Sequence, residues 1–296
     1  MLAIILALAS AITYGCSDFA AGLASRSAAV IQVSLVASMA SVVVVATALP
    51  FAASPLPGAA ALAWGALAGL GGTLGALALY LGFRHAAFSV AGPISAVGAA
   101  GFSVLAGLLF GERPTALALA GIVLALPAIL GVSASAVSAG EPVAETAAAS
   151  RISGSGRPWA GVAFGLVAGA FFALLFIGLN RAGSGSGLWP VAATQVSEIV
   201  VALAAAVATR NVGLPAGRPG LLAAVTGLAG AVGTILFFFA SHDGFLTVTS
   251  VLTSLYPAVT IVLARVMLGE RLTRMRLAGL ALAGACVALI AAGGAG

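Results

Sequence analysis

Seven carboxylates are the whole acidic inventory of this 296-residue chain, and one of them, Glu198, lies near the middle of a long apolar run. A charge at the centre of a membrane-spanning helix costs about 2.5–3.5 kcal/mol on insertion scales. Something must offset that cost, or the group must stay protonated. Gln195 and Thr194 one turn earlier, Arg265 from another run, or a water-filled cavity are the candidate sources of relief. An acid so placed is either a neutral or paired structural group, or a proton or substrate site. In the second case it can take a proton on one side and release it on the other, which would couple solute movement to a proton gradient.

Asp18 lies near the end of another run and shares a helical face with Tyr14 and Gly22. It either reaches the membrane interface or lines the mouth of a cavity. Ser250, Thr253, Ser254 and Tyr256 place hydroxyl groups beside Pro257, which removes a backbone hydrogen bond and favours a kink. Pro93 does the same in the fourth run. The two prolines are hinge candidates, with tolerated kinks as the plain alternative. No catalytic residues are expected. Nothing resembles a phosphate-binding glycine loop or a nucleophile–base pairing, and Cys16 and Cys286 sit singly in apolar runs. No metal and no cofactor are expected.

The elements that must hold these groups follow from composition. The chain is 62% hydrophobic and 6% charged, with a mean hydropathy of +1.21. A soluble domain is about 25% charged. The expected solvent is therefore lipid, and the expected class is an all-α integral membrane protein. The basic residues are all arginine and fall mostly in short loops, so they read as topology signals and headgroup contacts; nucleic acid is not an expected partner. Apolar runs at 2–24, 29–50, 59–82, 87–110, 115–137, 159–180, 188–208, 219–241, 245–267 and 273–293 predict ten transmembrane helices. A signal peptide is the alternative for the first run, but that run maps onto the sixth. Residues 138–158 hold Glu141, Glu145, Arg151 and Arg157 among Ser, Gly and Pro, and form the linker between a first unit, 1–137, and a second, 159–296. Gly161, Gly165 and Gly169 recur every four residues and predict a close-packing stripe.

A duplication ties the two units together. Gly111-Glu112-Arg113 recurs as Gly269-Glu270-Arg271, an offset of 270 − 112 = 158. The same offset places Gly69, Gly72 and Gly75 on Gly227, Gly230 and Gly233. Five crossings per unit is an odd number, so the second copy must enter the membrane upside down. The expected fold is two inverted five-helix repeats about an in-plane axis, the plan of many secondary transporters. In each motif the glycine ends a helix, the glutamate is expected at the N-terminus of the next one, and Thr115 or Thr273 caps that start. The motif is read as a structural hairpin, with a gate at the membrane face as the functional alternative. Arg84, His85, His242 and Asp243 are expected in solvated loops.

These residues resemble the EamA-domain branch of the drug/metabolite transporter superfamily. The doubled Gly-Glu-Arg signature, the two five-span halves and Tyr14-Gly15…Asp18-Phe19 carry the resemblance. It implies a ten-helix fold with a central cavity, the fifth helix of each half at the outer edge of the inter-half contact, and movement, often export, of small metabolites, amino acids, nucleotide sugars or drugs. It also implies cytoplasmic termini. Arginines point the other way: Arg26, Arg84, Arg151, Arg157, Arg210, Arg218, Arg271, Arg274 and Arg276 follow odd-numbered spans, and only Arg113 and Arg181 follow even-numbered ones.

The expected function is alternating-access transport of a small solute across the cell membrane, with the lipid bilayer and the solute as partners and oligomeric state open. Few intramembrane charges suit a neutral, zwitterionic or apolar solute. A membrane enzyme acting on lipid-linked substrates is the alternative, but its inventory of acids and two histidines is thin. A purely structural subunit would have no need of two-faced symmetry.

Overall fold

The computed structural model describes residues 1–25, 27–51, 57–85, 88–134, 158–268 and 274–294. Gly269, Glu270 and Arg271, most of the linker and the side chain of Pro93 lie outside the described residues. Among these residues the regular structure is helical: α1 (Leu2–Ser25), α2 (Val30–Ala48) followed by a short 3₁₀ turn, α3 (Ala59–His85), α4 (Phe88–Leu109), α5 (Ala116–Ala134), α6 (Pro158–Arg181), α7 (Trp189–Ala208), α8 (Arg218–Asp243), α9 (Leu246–Thr253), α10 (Tyr256–Leu268) and α11 (Arg274–Gly293). Eight helical stretches are long and apolar enough to cross a membrane, the one at 246–268 comprising α9 and α10 together. Ile94–Leu109 and Ala116–Gly131 are apolar but shorter over the described residues. The chain is a multi-pass membrane protein, and helices are the form that satisfies every backbone group without water.

Several expectations change. The ninth run is two helices, not one, broken at 254–255, just before Tyr256 and Pro257. That is where the ring's missing N–H costs least, in the first turn of α10. α4 runs through Pro93 without a break. Arg84, His85, His242 and Asp243 belong to the last turns of α3 and α8, not to loops.

Helices of the first unit pack mainly on helices of the second. α1 lies on α8 and α3 on α6; α2 lies on α8 and α3 on α7; α4 lies on α6, and α1 on α9 and α10; α2 meets α7, α4 meets α9, and α5 meets α11. The pairing is reciprocal when each helix is exchanged for its copy. It extends to single residues: Gly233 faces Tyr14, and Gly75 faces Phe172, where 233 − 75 = 172 − 14 = 158. Small residues permit this closeness. A Cβ on Gly69 would run into the Thr194 carbonyl and one on Gly227 into the Ala37 carbonyl, and one on Gly169 would lie 2.8 Å from the Cα of Gly98. Hydroxyls cross the same seams: Ser10 donates to the Gly233 carbonyl (2.8 Å), Ser17 to that of Thr226 (2.9 Å) and Ser41 to that of Gly227 (3.0 Å).

One end of the bundle gathers the turns after α4, α6 and α8 with the C-terminus of α11; we refer to it as end A and to the opposite end as end B. Gly111 closes α4 there with φ 93°, and the Glu112 N–H donates back to Gly107. Thr115 accepts from the Ala118 N–H (3.2 Å), as a cap should, and donates to the Gly293 carbonyl of α11 (2.9 Å). Glu112 does not serve α5. Its Oε1 and Oε2 accept from the N–H groups of Leu246 (2.6 Å) and Thr247 (2.8 Å), at the start of α9 in the other unit. Thr115 already occupies the α5 cap, and a carboxylate finds the same favourable dipole at any free helix N-terminus.

Candidate functional site

α1 presents Tyr14 and Asp18 one turn apart, α7 presents Glu198, and α8 presents Thr234. The Tyr14 hydroxyl lies 2.9 Å from Thr234 Oγ1. Thr234 spends its own proton on the Gly230 carbonyl (3.0 Å), so Tyr14 is the donor. Asp18 and Glu198 both lie within electrostatic range of Tyr14. Glu198 rests against α3, where a Cβ on Gly72 would come 2.8 Å from its Oε1. Two helices of each unit, α1 and α3 with α7 and α8, therefore converge on one polar group. Tyr14 and Glu198 are half-buried and Asp18 is exposed.

The other sequence candidates divide. Gln195 is 1% exposed, and its Oε1 has no hydrogen-bond partner among the described residues. Thr194 is structural, since its hydroxyl donates to the carbonyls of Gly65 (2.9 Å) and Pro190 (3.0 Å). Thr253, fully buried, donates to the Ala7 carbonyl of α1 (3.4 Å). Ser254 is fully buried with its hydroxyl unpartnered among the described residues. Tyr256 is half-buried beside α1, its carbonyl close to Gly15. Arg265, considered above as a partner for Glu198, is exposed on α10, which packs on α1 and α5.

Sequence reasoning missed Thr234. Its signal is the difference between the copies. Subtracting 158 from Thr234 and Glu198 gives Ala76 and Ala40, and adding it to Tyr14 and Asp18 gives Phe172 and Phe176. Every polar member of the group is apolar in the other copy. At these four positions one copy is polar and the other apolar.

Residues 159–292 match the model of the EamA-like transporter family. The match covers the second unit, which is similar to an EamA-like transporter domain. A solved structure described only as the crystal structure of a protein is similar at 14% identity with a TM-score of 0.76, covering 97% of this chain and 95% of that one. At that identity the likeness is one of fold, and it extends the comparison beyond the EamA match to both halves. No curated protein matches the sequence. The match to a transporter family lies in the second unit, and the polar group among α1, α3, α7 and α8 is the candidate functional site.

Proposed function

We propose that this protein is a secondary transporter of the cell membrane, exporting a small metabolite, amino acid or drug-like solute by alternating access, with protons coupled through Glu198. The observation that carries the reading is the Tyr14–Thr234 hydrogen bond, with Asp18 and Glu198 within electrostatic range of the tyrosine. Polar groups inside apolar helices are costly and need a use. The reading also takes the units 1–137 and 159–296, joined by the linker 138–158, as inverted repeats. Reciprocal helix pairing and the matched Gly233–Tyr14 and Gly75–Phe172 contacts support that relation.

In this mechanism Asp18, the exposed acid, meets the solute or proton first. Tyr14, Thr234 and Gln195 offer hydrogen bonds to an uncharged or zwitterionic solute. Glu198 exchanges the proton, and Gly72 leaves its carboxyl room. Pro93 and Pro257 serve as hinges, Pro257 beside the α9–α10 break. Purified protein in liposomes tests the function: counterflow of a radiolabelled solute, chosen by growth rescue against a panel of toxic metabolites, is expected with this protein alone. Absence of flux across the whole panel would overturn the reading.

A further inference from the structure

Glu112, read above as part of a structural hairpin with a gate at the membrane face as the alternative, joins the two units in the folded protein. Its carboxylate bridges the first two N–H groups of α9, and Gly107 of α4 makes this possible, since a Cβ there would collide with Glu112 Oε2. The same Cβ would lie 2.7 Å from the Thr247 methyl group. The C-terminal end of α4 thus touches the N-terminal end of α9, and because the two helices pack along one another they run antiparallel.

What lies between them is unusual for a membrane interface. Thr247 and Ser250, at spacing i and i+3, share one face of α9, Ser254 caps the C-terminal end of that helix, and Ser103 stands one turn from Gly107 on the matching face of α4. All four are fully buried, and none of their hydroxyls has a hydrogen-bond partner among the described residues. Elsewhere hydroxyls that cross between helices have partners, as those of Ser10, Ser17 and Ser41 do, and Gly131 meets Gly279 between α5 and α11 with no side chain at all. A buried hydroxyl without a partner is a standing loss of stability, and a row of them needs another explanation than packing. A second tie closes the same end: the Arg181 guanidinium of α6 lies 4.8 Å from the Phe110 ring centre.

We propose that the seam between α4 and α9 is the part of the solute path leading to end A, and that Glu112 is its clasp. When the carboxylate leaves Leu246 and Thr247, the helices part, and Ser103, Thr247, Ser250 and Ser254 supply hydrogen bonds to the polar groups of an uncharged or zwitterionic solute. The proposal rests on the transporter reading, but its test needs no solute.

Ser250→Cys is introduced into a variant lacking Cys16 and Cys286, and a membrane-impermeant methanethiosulfonate reagent is applied to either side of the reconstituted protein. Ser184→Cys, on the exposed turn after α6, identifies the side that is end A. Labelling of Ser250→Cys from end A is expected to be slow with Glu112 present. It should rise at least tenfold with Glu112→Gln, which loses the charge and one acceptor, and with Gly107→Ala, which displaces the carboxylate from the other side. Ser41→Cys, buried between α2 and α8, is the control for general loosening and should stay unreactive. Unchanged labelling of Ser250→Cys in both variants would overturn the proposal, and so would equal gains at Ser250→Cys and Ser41→Cys. Loss of solute flux with the expected labelling pattern would instead count against the transporter reading alone.

Discussion

Tyr14 donates its hydroxyl to Thr234 at 2.9 Å, across the contact between the first helix of one unit and the third helix of the other. The equivalent contact in the second copy, Phe172 on Gly75, holds with no hydroxyl at all. Tyr14→Phe should therefore fold: the loss of one neutral hydrogen bond is worth about 1 kcal/mol. Transport is expected to fall further than that, because the hydroxyl is read as part of the solute site. The measurement is melting temperature beside initial uptake rate. An unchanged rate would remove Tyr14 from the site.

Glu198→Gln keeps the shape and hydrogen bonding of a protonated acid but cannot release a proton. Exchange of solute across the membrane should continue, and accumulation driven by an imposed pH gradient should be lost. Asp18→Asn should have the smaller effect, since Asp18 is exposed. Proteoliposome uptake with and without the gradient decides it, and full gradient-driven uptake by Glu198→Gln would make that residue structural.

Gly72 and Gly227 predict opposite outcomes for the same substitution. A methyl group at Gly72 meets the Glu198 carboxylate at 2.8 Å and otherwise only ordinary contacts beginning at 3.7 Å, so Gly72→Ala should insert normally and impair coupling. A methyl group at Gly227 meets the backbone of Ala37, which cannot swing aside. Gly227→Ala should force α2 from α8 at a cost of about 1–3 kcal/mol, lowering the yield of folded protein. Size-exclusion recovery and uptake per folded molecule separate the two effects.

Orientation is open to direct measurement. With Cys16 and Cys286 replaced, Ser153→Cys in the linker and Ser184→Cys after α6 should react with an impermeant thiol reagent from opposite sides. The arginine distribution predicts that Ser153→Cys is protected in intact cells, and the family resemblance predicts that it is labelled.

Much of this protein was determined by the sequence alone. Composition dictates the membrane, because 6% charge cannot cover a globule in water. Apolar run lengths give nearly every helix to within a few residues. The 158-residue offset marks the duplication, and local chemistry places the Gly111 helix end and the Thr115 cap. Tertiary structure alone decided the partners. In water a helix reveals its buried face by an apolar stripe against a polar one; in lipid both faces are apolar, and that signal vanishes. Hence neither the packing of α1 on α8 nor that of α10 on α1 and α5 was legible. Glu112 shows the same limit. Its residue type calls for a helix N-terminus, and two free ones lay within reach of the turn after α4. Thr115 filled the first, so only the arrival of α9 from the other half of the chain determined where the carboxylate would bind.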